Sequence, residues 1–317
     1  MDSSARAKAV ADEMLAGAQM ADEVARARAA EASDRGYWSR LAPEMAIGGP
    51  LVPRPQTITD ASLDAVSRRF AADGYFEIAS LIDGDSLARI NRAIDAVTGR
   101  GWHPVFAWVY DELWSLARLP ELRRVLTRHL GDGYAQIPHI WTHVVTPAVG
   151  AAGWPPHFDF KFDAGGRASV WMALTDATLT NGCMHVVPRK MIAPEFASQR
   201  VETGRVALSA TMRALHGVRA LPVPPGSALG WGTDVLHWGG PCLKADSARR
   251  AISMEFIGPG VAPAAEEASL LMLEGALPAW EDRVRMIATA ILAYEQFEPG
   301  LIRFRAMAQR LRASASG

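Results

Sequence analysis

From Tyr134 onward the chain breaks into short β-rich runs: Ile140–Thr146, Ser169–Thr175, Met184–Val187, Ala228–Trp231 and Ala251–Ile257. Turns carrying Gly, Pro or Asn separate them. A series of short strands divided by turn signals fits a sandwich or barrel. It does not fit a parallel sheet, whose strands would alternate with helices of comparable length. The expectation is a mainly β fold with flanking helices.

Helices come before those runs. Residues Ala5–Ala32 alternate Ala with charged residues and carry Met14, Leu15, Met20 and Val24, which predicts an amphipathic helix packed on the body or used in a subunit contact. A Pro- and Gly-rich connector follows over Leu41–Pro55. Leu63, Val66 and Phe70 then recur at helical spacing, with Thr59 or Asp60 as cap and Gly74 as terminator. Tyr75–Ile78 reads as a strand. Further helices are expected from Asp85 to Gly99, from Asp111, and from Pro120 to His129. The stretch between Pro188 and Val223 loses the β pattern and reads as an insertion near the mouth of the sheet structure. Helix returns after Ala265, clearest at Ile287, Ile291 and Tyr294. Three parts result: a helix and connector over 1–58, the main domain over 59–260, and C-terminal helices over 261–317 packed on that domain.

Composition narrows the function classes. With 317 residues and 49% hydrophobic content, the chain can bury a sizeable core. A formal net charge of -1 gives no reason to expect nucleic acid or an anionic membrane as partner. No apolar run approaches membrane-spanning length, and the N-terminus carries no apolar signal-peptide core. Only Cys183 and Cys242 are present, so a disulfide framework or zinc ribbon is not expected and a reducing cytoplasm is. Eight of the ten Trp lie between Trp102 and Trp238, marking that region as the dense core.

The chemistry centres on Trp154-Pro-Pro-His157-Phe-Asp159. On a β-strand, positions two apart share a face, so His157 and Asp159 project together with Phe158 behind. An imidazole and a carboxylate side by side are two-thirds of a 2-His-1-carboxylate site. His237, late in the run of strands and just before a Gly pair, is placed to complete it. In Arg249-Arg-Ala-Ile-Ser253 the same alternation sets Arg249 and Ser253 on one face and Arg250 on the other. An inward Arg needs an anionic partner, because burying an unpaired guanidinium is too costly. The small-molecule carboxylate that would satisfy it can take a further bond from Ser253. Asn181-Gly182 between two β-rich runs reads as a hairpin-like turn.

In this order, these features resemble the phytanoyl-CoA dioxygenase-like family of Fe(II)/2-oxoglutarate-dependent oxygenases, over about residues 134–257. His157 and Asp159 match the family's His-x-Asp, His237 its distal His, and Arg249 its cosubstrate arginine. The chain departs at Pro188-Arg-Lys-Met, where many members read Pro-Gly-Ser-His, and Asp163 competes with Asp159 if the strand ends early. The resemblance implies a double-stranded β-helix (jelly-roll, cupin-like) core. His157, Asp159 and His237 would hold Fe(II), and Arg249 with Ser253 would hold 2-oxoglutarate, with O₂ as co-reactant. Trp154, Phe158, Trp171, Trp231 and Trp238 are candidates for the substrate pocket. The activity implied is hydroxylation of a small molecule, or desaturation or cyclisation. Halogenation is not implied, because halogenating relatives have a small residue where Asp159 stands. A jelly-roll isomerase or ligand-binding protein without redox turnover is the alternative, and a homo-oligomer is left open.

Overall fold

The computed structural model describes residues 21–50, 59–159, 165–192, 208–264, 271–272 and 277–314. Helix α1 (21–33) is the described part of the N-terminal amphipathic segment. It buries Ala25 and Ala32, whereas Val24 is 59% exposed, so small residues and not the larger apolar ones make its packed face. Met14, Leu15 and Met20, expected on the same helix, lie outside the described residues. Helix α2 (Arg35–Leu41) places Trp38 at the centre of an aromatic cluster with Trp102 and a stacked Phe106 5.5 Å away.

Helix α3 (Asp60–Asp73) forms where its caps predict. Thr59 accepts from the Ser62 N–H, and Gly74 ends the helix at φ 82, a left-handed conformation that costs glycine nothing. Strand β1 (Tyr75–Ile78) follows. Helix α4 (Gly84–Gly99) is capped by Asp83, two residues before the expected start, because the Asp83 carboxylate accepts from the Ser86 N–H. A 3-10 turn at Pro104–Val109, α5 (Asp111–Leu116) and α6 (Pro120–Leu130) complete the helical layer.

The strands are β2 (Ala135–Val145), β3 (Arg167–Ala173), β4 (Met184–Val187), β5 (Arg219–Leu221), β6 (Ala228–Gly232), β7 (Leu236–Gly239), β8 (Arg249–Ile257) and β9 (Leu271–Met272). They form two antiparallel sheets, ordered β1-β6-β3-β8-β2-β9 and β5-β4-β7. Asn181-Gly182 is therefore not the turn of a hairpin. β3 and β4 belong to different sheets, and the turn carries the chain from one to the other. The buried Asn181 side chain braces it, accepting from the Thr178 N–H and donating to the Asp176 carbonyl and the Ser247 hydroxyl. Between Pro188 and Val223 the described residues include α7 (Leu208–Gly217) and β5, so this insertion is partly regular.

Helices α8 (Trp280–Tyr294) and α9 (Arg305–Ser314) close the chain. Helices make up about 45% of the described residues. That corrects the expectation of a mainly β fold: the strands are short, and nearly everything before Ala135 is helical. Two cores result. On the outer face of the large sheet, Val170, Met172, Ile252, Met254 and Phe256 pack with the helices in one cluster. On its inner face, Trp171, Leu229, Trp231 and Ala251 meet Met184, Val186 and Leu221 of the small sheet. No helix among the described residues is long and apolar enough to cross a membrane.

Candidate metal centre and active site

At one end of the inter-sheet space lies a cavity lined from both sheets. The stretch 154–159 that supplies two of its walls is not a regular strand. Pro155 and Pro156 have no N–H to donate to a ladder, and only one bridge forms, His157 to His237. Its two reciprocal backbone hydrogen bonds, both 3.0 Å, set His157 directly opposite His237 at the edge of β7. Alternation still holds locally. His157, Asp159 and His237 face the cavity, and their ligand atoms lie within 4.8 Å of one another.

The carboxylate sits between the imidazoles. Asp159 Oδ1 is 3.3 Å from Nε2 of His157 and 3.3 Å from Nε2 of His237. Donors bound at ~2.1 Å and at right angles to one another would stand ~3 Å apart, so the spacing suits a single cation. Asp159 Oδ2 points away and accepts from the Ser169 hydroxyl and, at 2.7 Å, from the Trp231 indole N–H. Each imidazole has its Nδ1 against a backbone carbonyl, 2.6 Å from Pro155 O for His157 and 3.2 Å from Val235 O for His237. An Nδ1–H donated there leaves Nε2 as the lone-pair nitrogen, the tautomer a metal requires. Burial alone would raise the Asp159 pKa, but the two imidazoles beside it hold it well below the usual carboxylate range. The donor set therefore fits a metal ion. Asp163 lies outside the described residues.

Arg249 starts β8 with its side chain on the inner face. It is 1% exposed, and its Nε and Nη1 have no hydrogen-bond partner among the described residues. The guanidinium packs 5.4 Å over the Trp171 ring. Burial pulls its pKa down to about 10, with no carboxylate beside it to offset that. Room for it comes from two glycines: a Cβ on Gly153 would stand 2.8 Å from Arg249 Nη2, and one on Gly239 3.1 Å. A buried, unneutralised cation of this kind costs several kcal/mol unless an anion joins it. Arg250 points the other way and is satisfied by Asp95 at 2.5 Å and by Asn91. Ser253 shares the inner face with Arg249, and its hydroxyl is 2.9 Å from His143 Nε2.

Of the five aromatic residues expected in the pocket, Trp154, Trp171 and Trp231 line the cavity. Phe158 and Trp238 do not, which corrects the expectation for those two residues. Each is the chain neighbour of a metal-facing histidine, so alternation turns it outward into a separate cluster with Val187 and Ile192. Sequence reasoning missed His143, Glu255 and Tyr294, which also line the cavity. His143 and Glu255 were in principle within reach, because they continue the inward alternation of β2 and β8. Tyr294 comes from α8, and nothing in its own segment signals that. Burial and the neighbouring Arg249 lower the His143 pKa to about 3, so its ring is neutral near neutral pH.

The phytanoyl-CoA dioxygenase (PhyH) family model matches residues 109–251. No curated protein sequence matches the chain. Solved structures similar to it include SnoN, described as a non-heme alpha ketoglutarate dependent epimerase from nogalamycin biosynthesis. It is 14% identical over 68% of this chain and 100% of that one, with a TM-score of 0.52. SnoK, a non-heme alpha ketoglutarate dependent carbocyclase from the same biosynthesis, is 20% identical over 71% and 98%, with a TM-score of 0.52. The non-heme monooxygenase ThoJ is 18% identical over 78% and 99%, also with a TM-score of 0.52. At these identities the likeness is one of fold. The family match rests on sequence, and the matched segment 109–251 carries all three candidate ligands and Arg249.

Proposed function

We propose that the chain is a non-heme Fe(II)/2-oxoglutarate-dependent dioxygenase that oxidises, and most simply hydroxylates, a C–H bond of a small molecule. One observation carries this reading. A His157–Asp159–His237 donor set and a buried arginine without an anionic partner open into the same cavity. The two facing antiparallel sheets are, on this reading, the halves of a double-stranded β-helix, and the site sits in its mouth. The two cysteines are free and buried, which suits a reducing cytoplasm.

His157, Asp159 and His237 would hold Fe(II), which with 2-oxoglutarate and O₂ supplies the oxidising chemistry. The chain's own residues bind, orient and exclude water. Three protein donors leave positions open on one side for a chelating cosubstrate. Arg249 pairs with that cosubstrate's distant carboxylate, and Trp171 lies beneath the guanidinium and keeps water from it. Ser169 and the Trp231 indole fix Asp159, so Oδ1 alone is offered to the metal. SnoN, SnoK and ThoJ, an epimerase, a carbocyclase and a monooxygenase, show that one fold hosts several reactions. The hydroxylase assignment therefore rests on the site and not on the fold.

The test is succinate release from 2-oxoglutarate under air with Fe(II) and ascorbate, with and without candidate substrates. Release is expected from the unmutated protein and is lost in His237→Ala. Metal binding without succinate formation would instead favour the isomerase or binding-protein reading. With a substrate in hand, excess chloride or bromide should yield no carbon–halogen product, because Asp159 fills the position a halide would need.

A further inference from the structure

The helices after Ile257 lie outside the matched family segment, yet they build one wall of the cavity. Trp154 stands three residues before His157, with its ring 5.8 Å from the imidazole. Besides His143 at 5.4 Å and Trp141 at 6.3 Å, it meets two rings of the C-terminal part, Tyr294 at 4.8 Å and Phe297 at 5.8 Å. Tyr294 also meets Trp141 edge-on at 4.7 Å. One carboxylate ties this group together. Glu298 Oε1 accepts from the Trp141 indole at 3.2 Å and the Trp154 indole at 3.3 Å, and Oε2 lies 3.2 Å from His103 Nε2. Burial would raise the Glu298 pKa, but His103 and the Trp154 N–H hold it below the ordinary value, so the clamp is ionised.

Tyr294 is the polar member of this wall that faces the cavity. Its hydroxyl makes no hydrogen bond among the described residues, although the side chain lines the chamber. Burial, with the Glu255 and Asp159 carboxylates nearby, raises its pKa well above the usual phenol, so it remains a donor. A donor that faces the cavity without a protein partner is free to be matched by an oxygen that enters it. The same carboxylates disfavour an anion at this end of the cavity, and Arg249, the cation that would attract one, is assigned to the cosubstrate.

We infer that Tyr294 is a specificity-determining residue that donates to a substrate oxygen, and that Glu298 is the positioning residue holding the Trp154–Tyr294 wall beside His157. The substrate class this wall fits is a compact, neutral, ring-containing molecule with a hydroxyl or carbonyl oxygen. The rings of Trp154 and Tyr294 take its apolar face, and the phenol reads the oxygen. The inference rests on the oxygenase reading for what happens to that molecule, but not for how it binds.

Benzyl alcohol and toluene, titrated into the full chain and followed by tryptophan fluorescence, separate the two contributions without metal or cosubstrate. The alcohol should bind about fivefold more tightly than toluene, the worth of one neutral hydrogen bond. Tyr294→Phe should bring that ratio to about one, because the hydrogen bond is lost, while toluene binding holds. Glu298→Gln should weaken both ligands together and shift the tryptophan emission. Glu298→Asp, which keeps the charge but withdraws it from the indoles, should do the same if Glu298→Gln fails to fold. An equal affinity of the unmutated chain for both ligands, or an unchanged ratio in Tyr294→Phe, overturns the role of Tyr294. Unweakened binding in the Glu298 variants overturns the positioning role. Absence of succinate release would leave these titrations unaffected, so the two readings fail separately.

Discussion

Arg249 and Arg250 are neighbours in sequence with opposite electrostatic situations. Arg250 has Asp95 at 2.5 Å, whereas Arg249 is 1% exposed with two nitrogens unpartnered. On the proposed function, the Arg249 site is completed by the cosubstrate carboxylate, an anion the chain does not supply. Arg249→Ala should therefore raise the 2-oxoglutarate concentration needed for succinate release by about a hundredfold, the scale of stranding one partner of a buried charge pair. Arg250→Ala should change that requirement less than threefold, about the worth of a surface ion pair. Kinetics on the two variants check the pair, and the opposite pattern would mean that Arg250, and not Arg249, pairs with the cosubstrate. This distinction was legible in the sequence, because side-chain alternation on a strand depends only on parity. Parity also brought His157 and Asp159 to one face, whereas His237 was placed with them by its position late in the run of strands and by the family resemblance. Applied to their neighbours, the same rule would have excluded Phe158 and Trp238 from the pocket.

The site is held where an irregular stretch crosses the edge strand of the small sheet. The 154–159 stretch and β7 meet through the His157–His237 bridge, with Gly239 N donating to Trp154 O at 3.1 Å. Gly153 and Gly239 touch at the crossing, where a Cβ on Gly239 would stand 2.7 Å from Gly153 Cα. Backbone cannot yield as a side-chain end can, so Gly239→Ala must push the two segments apart. The variant should lose about 1–3 kcal/mol of stability, the usual cost of overpacking, and should bind metal more weakly because the two histidines separate. Urea unfolding and metal titration measure the two effects, and an unchanged variant would show that the crossing is looser than drawn. Sequence patterning located most of the strands but not which sheet each joins. Asn181-Gly182 announces a turn, yet whether β4 returns beside β3 depends on Cys183 and Met184 finding their places in the small sheet. Tyr294 and Glu298 were unreadable for a related reason. Their contacts, Trp141 and Trp154, lie more than a hundred residues away, and no local period encodes such a pairing.

At the scale of the molecule, the C-terminal helices can form a wall of the cavity only if they are docked firmly, and a single buried ion pair stands at that docking. Asp111, at the start of α5, accepts from the Gly48 and Gly49 N–H groups at 2.8 and 2.7 Å, and its Oδ1 is 2.5 Å from Nη1 of Arg283 on α8. Arg283 also donates to the Val109 and Pro278 carbonyls, at 2.9 and 2.8 Å. Connector, helical layer and C-terminal helix thus converge on two side chains that are 5% and 1% exposed. Removing one partner of such a pair leaves the other buried and uncompensated, which costs about 3–5 kcal/mol. Arg283→Met should therefore lower the urea midpoint sharply. Arg250→Ala, which breaks a pair whose Asp95 is 60% exposed, should shift it little. If α8 is held mainly by this pair, Arg283→Met should also redden tryptophan emission below the main transition, as Tyr294 and Glu298 leave Trp154 and Trp141 to water. A variant that loses less than about 1 kcal/mol would place the docking energy in the apolar contacts of Ile287 and Ile291 instead, since burying two such side chains is worth enough to hold the helix without the ion pair.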